Sequence, residues 1–153
     1  MVSRKVRTLL MVTAVLLVSL SLVAATLPAP TTTIVRFKVP MTGAAEAPGP
    51  GDPDGRGTAL IKIAPEAGLV CWTLKVVNIK LPATAAHIHI APAGSPGPVV
   101  VPLSAPGADG KATGCASASK DLLKAIVANP AAYYVNVHNV DFPGGAVRGQ
   151  LGN

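Results

Sequence analysis

Aromatic side chains make up only 3% of this 153-residue chain: one Trp, two Tyr and two Phe. A core with so little aromatic bulk has to be assembled from Val, Ile, Leu and Ala, and stacking platforms for nucleic-acid bases are lacking. Charge is also scarce at 13%, with seven acidic residues against thirteen Lys and Arg. With half its residues hydrophobic, the chain is too apolar and too weakly charged to stay disordered. Only two cysteines are present, too few for a disulfide-dense miniature scaffold. The length suits one domain of ordinary size.

What the chain does have is an apolar N-terminus. Arg4, Lys5 and Arg7 precede a hydrophobic run over residues 9–25 that is broken only by Thr13, Ser19 and Ser21. Val23 and Ala25 place small side chains at the −3 and −1 positions of a cleavage site. A charged head, an apolar middle and a small-residue exit predict a signal peptide over 1–25, cleaved after Ala25, and an extracytoplasmic protein. The alternative is a retained anchor at the short edge of spanning length. Once the segment is removed, ten Lys and Arg face seven acids, and no membrane association is expected. Those ten cations are scattered along the sequence with no two adjacent, and nucleic-acid binding is set aside.

Beyond a leader at 26–33, Gly and Pro (15 each) punctuate short alternating segments. Strands are predicted at 34–38, 57–63, 69–77, 84–90, 99–103, 111–117, 133–138 and 146–151. The clearest is 69–77, with Val70, Trp72, Leu74 and Val76 on one face and Cys71, Thr73 and Lys75 on the other. Residues 119–128 instead carry Leu122/Ile126 and Leu123/Val127 at helical spacing, with Ser119 as cap and Asn129-Pro130 as stop. The prediction is an all-β domain over 34–151: an antiparallel sandwich or barrel of about eight strands with one short helix. The breaker-rich stretch 40–55 is expected to be loop.

Cys71 and Cys115 lie in the exported part, where disulfides persist. A bridge between them is expected, because a redox-active pair would want C-x-x-C spacing.

The three histidines are the residues with chemistry to offer. His87 and His89 alternate on one strand, so both rings leave the same face about 6.5–7 Å apart. His138 ends another strand, with Tyr134 and Asn136 on its own face. Were the two strands neighbours, three imidazoles would converge, a set that suits zinc or copper. The competing reading has these rings simply bonding loop backbone. Glu46, Asp52, Asp54 and Asp141 are the loop carboxylates that could add a ligand. A nucleophilic triad finds no support, since Ser95 and Ser104 lie in Pro-rich loops outside any G-x-S-x-G. The GDPDG stretch at 51–55 lacks the remaining ligands of a calcium loop and reads as a turn. Arg148, mid-strand in FPGGAVRGQL, is expected to pair with Asp141 or a loop carboxylate, or else to bind an anionic ligand.

The blocks AAHIHIAPAGSPGPVVVPL (85–103) and YYVNVHNVDFPGGAVRGQL (133–151) strongly resemble the CHRD (chordin-type) domain, in its single-domain exported bacterial form. GDPDGRGTALIKI (51–63) and the strand with Cys71 and Trp72 fit the same pattern. One departure is Asn139, where the family usually has Thr. The resemblance implies an immunoglobulin-like β-barrel related to copper/zinc superoxide dismutase, and no settled activity. In the dismutase an H-x-H also supplies copper ligands; that parallel reaches His87 and His89, with His138 a possible third. The dinuclear dismutase centre needs more imidazoles than this chain has.

Two readings of function follow. One is a non-enzymatic exported module that binds an extracytoplasmic protein or a small ligand, with no cofactor. The other is a mononuclear copper or zinc protein using His87, His89 and His138, with weak oxidoreductase behaviour at most.

Overall fold

The computed structural model describes residues 33–152. The segment 1–25 and nearly all of the leader at 26–33 lie outside them. Alternation of aliphatic and polar residues produces eight strands: β1 (Val35–Thr42), β2 (Arg56–Ala64), β3 (Leu69–Val77), β4 (Ala85–Ile90), β5 (Val99–Leu103), β6 (Lys111–Ser117), β7 (Tyr133–His138) and β8 (Val147–Gln150). All pair antiparallel, in the order β5-β4-β7-β8-β1-β2-β3-β6. The sheet folds over on itself. Its halves, β1-β2-β3-β6 and β5-β4-β7-β8, meet at β1 and β8, where Thr42 lies opposite Arg148.

The two outer strands, β5 and β6, approach each other at a seam that nearly closes the barrel. Trp72 Nε1 donates to Ser104 Oγ at 3.0 Å, and that hydroxyl donates to the Thr113 carbonyl at 3.2 Å. One serine thus fastens the end of β5 to β3 and β6. Trp72 is accommodated because Gly114 stands opposite it; a Cβ there would lie 2.5 Å from the indole ring.

Inside, the core is aliphatic as the composition requires. Val39, Ile61, Ile63, Val70, Leu74, Ile88, Val135 and Val137 are fully enclosed. Each strand sends alternate residues inward, so one residue of slip would expose a whole row.

Strands β3, β5, β6 and β7 coincide with their predicted bounds, and β2, β4 and β8 differ by a residue at their ends. β1 is the correction. It runs to Thr42 instead of stopping at Lys38, and Met41 joins the core. Proline lacks the donor a central strand needs. Here β8 reaches β1 only at Thr42, so Pro40 occupies a stretch asked for hydrogen bonds by β2 alone. The following loop is also less formless than its glycines suggest: Gly51 N donates to Gly43 O and Asp52 N to Ala146 O, each at 2.9 Å.

The helix α1 (Lys120–Ala128) begins where Ser119 Oγ accepts from Leu122 N at 3.2 Å. Leu123 and Ile126 are its buried residues. It covers one end of the barrel near the 3-10 turn Pro65–Ala67, where Lys124 Nζ meets Glu66 Oε1 at 3.0 Å. That pair is exposed and adds little.

Cys71 and Cys115 face each other in register across β3 and β6 and are joined by a disulfide, with Cα atoms 4.0 Å apart. The bridge closes a 44-residue separation, worth about 4 kcal/mol in the chain-entropy model. Replacing both cysteines by Ala is expected to cost up to about that much in urea unfolding while leaving the far-ultraviolet spectrum unchanged. A loss under about 1 kcal/mol would mean the bridge constrains the unfolded chain far less than its span implies.

Candidate metal centre

In β4, Ala86 and Ile88 enter the core while His87 and His89 leave on the outer face. In β7, Val135 and Val137 point inward, which turns Tyr134, Asn136 and His138 outward. The strands are neighbours: His87 lies opposite Asn136, His89 opposite Tyr134, and Ala85 opposite His138. β8 adds Arg148 beside Asn136 and Gln150 beside Tyr134. A polar array therefore occupies the outer face of β4, β7 and β8.

All three histidines come together, with their ligating nitrogens within 4.8 Å of one another. His87 Nδ1 is 3.2 Å from His138 Nε2. Asn136 Oδ1 lies 3.0 Å from His89 Nε2 and 3.1 Å from His138 Nε2. The far nitrogens are held by backbone: His89 Nδ1 is 2.8 Å from Gly97 O, and His138 Nδ1 is 3.0 Å from Pro143 O.

Those contacts fix the tautomers. A carbonyl only accepts, so both Nδ1 atoms carry a proton, and in the neutral ring each Nε2 keeps a lone pair. Burial, opposed for His138 by its bond to Pro143 O, holds His87 and His138 below the usual imidazole range, and neighbouring imidazoles push the same way. That holds His87 and His138 neutral, and the Nε2 atoms of His89 and His138 both turn toward Asn136 Oδ1.

Arg148 organises the rest. It is 1% exposed and lies with Cζ 3.4 Å from the centre of the Tyr134 ring. Nη1 donates to Ser95 O and Nη2 to Pro92 O, each at 2.9 Å. Gln150 Nε2 donates to Ala91 O and Ala131 O, both at 2.7 Å. The loop 91–98 is pinned by these bonds over the array, and Tyr134 in turn stacks on His89 at 4.6 Å.

The expected Arg148–Asp141 pair does not form. Asp141 sits exposed in the turn beyond the end of β7, whereas Arg148 is mid-strand beneath loop 91–98. Among the described residues the one ion pair is Lys124–Glu66. The carboxylate whose field reaches Arg148 is Glu46, packed against Gly145 with Oε1 buried and unpaired. Burial pushes Glu46 up to about 7, against the pull of Arg148.

None of the four loop carboxylates joins the imidazole group among the described residues. Ser95 contributes its carbonyl and Ser104 fastens the barrel seam. GDPDG is a turn, with Gly55 N donating to Asp52 O at 3.1 Å. Asn139, the departure from the family pattern, replaces a hydroxyl with an equivalent acceptor: its Oδ1 takes the Phe142 N–H at 2.8 Å. Gln150 escaped the sequence reading. Its signal was the V-R-G-Q alternation, which puts it on the face that carries Arg148.

Comparison with known families finds a match between the CHRD domain model and residues 37–151. No curated protein and no solved structure matches.

Two expectations follow from this geometry. Arg148→Ala leaves Ser95 O without its donor, Pro92 O with only the Ser95 N–H, and the loop unpinned, and is expected to lower unfolding stability by about 2–4 kcal/mol; an unchanged urea midpoint would refute that role. Glu46 has a folded value raised above its ordinary 4.5 to about 7. Its contribution is therefore full below the ordinary value and lost as pH rises through about 7. The melting temperature should fall across that window and Glu46→Gln should flatten the fall; parallel curves for the two proteins would place its origin elsewhere.

Proposed function

The chain belongs to the CHRD domain family, and from that premise we propose that it is an exported, non-enzymatic binding module that holds one transition-metal ion on His87, His89 and His138. The observation that carries the reading is a surplus of acceptors. His89 Nε2 and His138 Nε2 both approach Asn136 Oδ1, at 3.0 and 3.1 Å, and the one ring nitrogen placed to donate into the group is His87 Nδ1, 3.2 Å from His138 Nε2. Two arrangements satisfy such a point. Either a cation takes the lone pairs, or the Asn136 amide turns its NH2 to donate to both rings. Protonating the rings is the costly third way, because burial already disfavours charge on His87 and His138.

Several features support the first arrangement. Both Nδ1–H groups donate to backbone carbonyls, the outer support that orients histidine ligands in metal sites. Imidazole ligands suit zinc and copper, and three of them leave a position for water or the Asn136 oxygen. The rings sit on paired strands, which hold them more rigidly than loops would. Export is supported by the apolar segment at 9–25 and by a disulfide of the kind reducing compartments do not keep.

The test is metal analysis of tag-free protein after loading with zinc or copper(II) and desalting. About one equivalent per chain is expected, and less than about a tenth would end the proposal. His138→Ala should weaken binding at least about tenfold, because it removes the ring that approaches both His87 and Asn136.

A further inference from the structure

The other half of the barrel carries a charge pattern that no single stretch of sequence displays. Outward positions on β1, β2, β3 and β6 hold Arg36, Lys38, Arg56, Lys62, Lys75 and Lys111. No acidic residue stands on any of the eight strands. Nearby acids lie at turns: Glu66 pairs with Lys124, Asp109 Oδ1 accepts from Lys111 N at 3.1 Å, and Asp54 is exposed in the turn before Arg56.

The register brings like charges face to face. Arg36 is opposite Lys62, and Lys75 is opposite Lys111. Like charges directly across a strand pair destabilise a sheet, so this face costs stability as it stands. The cations form two groups: Arg36, Lys38 and Lys62 at one end, and Arg56, Lys75 and Lys111 at the other. Lys62 and Arg56 are separated by six residue steps along β2, about 20 Å. Midway between the groups Leu60 and Thr73 stand opposite each other, and Thr58 stands opposite Lys75. A cleft of about 230 Å³ opens at the second group, lined by Arg56, Gly57, Thr58, Lys75 and Val77.

We propose that this face binds a linear acidic polysaccharide. Repeating carboxylates or sulfates would neutralise both cation groups at once, while the exposed hydroxyls of Thr58 and Thr73 bond sugar hydroxyls. The outward positions of these four strands hold no aromatic side chain, so single-stranded nucleic acid finds nothing to stack on. The face is also the convex outside of a nearly closed sheet, which a flexible chain can follow and a planar bilayer touches only in part.

The site is independent of the histidine cluster, and its test uses the full-length protein with heparin as the probe. Binding is expected to weaken steeply from about 50 to about 200 mM salt, as counterion release requires. Lys62→Glu with Lys75→Glu should weaken it at least about tenfold. Lys80→Glu with Lys120→Glu, an equal change of net charge elsewhere, should weaken it less than about threefold. The first pair removes facing like charges and should not lower the melting temperature; Lys62→Gln with Lys75→Gln repeats the test without reversing charge. Equal losses from both pairs would overturn the proposal, as would stronger binding to phosphatidylglycerol vesicles or to oligodeoxythymidylate than to heparin. His138→Ala should leave heparin binding unchanged, which separates this result from the fate of the metal reading.

Discussion

Arg148 brings a permanent positive charge to a place that water hardly reaches, and the outer face of β4, β7 and β8 is built to tolerate it. Its guanidinium is met by the Tyr134 ring on one side and by the carbonyls of Pro92 and Ser95 at its edge. Burying a charge is costly unless its donors are satisfied. The loop that satisfies them also delivers Gly97 O to His89, and the ring that faces the cation also stacks on His89. One buried cation thereby fixes a loop, an aromatic plane and a histidine tautomer together. The Gly/Pro composition of residues 91–98 allows the backbone to come close enough: a Cβ at Gly97 would overlap the Ile90 carbonyl.

The two halves of the barrel use the same period-2 pattern to different ends. On both, small aliphatic residues turn inward, because a chain with 3% aromatics has little else with which to fill a core. On β4, β7 and β8 the outward residues bond one another and the loops above them, forming a partly dry array around the imidazoles and the buried Arg148 guanidinium. On β1, β2, β3 and β6 the outward residues include six solvated cations and no acid. The acids are confined to turns, loops and the helix, so the strands themselves carry only positive charge. A charge pattern of this kind leaves the interior of the barrel unaffected, since every one of those side chains ends in water.

Much of this was legible in the sequence because alternation is a local signal. β3 declares itself through Val70, Trp72, Leu74 and Val76, and the helix through its cap and its Asn-Pro stop. The histidine convergence was legible only conditionally, since His87 and His138 are 51 residues apart and meet through the non-local pairing of β4 with β7. What local reading could not supply was register. The end of β1 was hidden by Pro40, whose effect depends on where β8 reaches its neighbour. The partner of Arg148 was hidden too: proximity in sequence suggested Asp141, whereas the fold supplies carbonyls from a loop more than fifty residues away. The basic face was invisible for the same reason. No two cations of the domain are adjacent in sequence, yet strand pairing sets Arg36 against Lys62 and Lys75 against Lys111.

At the histidine cluster, Asn136 decides how much reorganisation metal binding demands. With its NH2 turned inward, the amide has two donors for two lone pairs, so the metal-free site is satisfied. With its oxygen turned inward, the same residue adds an acceptor to the three nitrogens, which is what a cation requires. The two states differ by rotation of one side-chain amide and need no movement of strands, since the rings are held from behind by Gly97 O and Pro143 O. A site of this kind is pre-organised: the Nδ1 protons of His89 and His138 are held by backbone carbonyls, and the ion meets a polar group that only has to turn around.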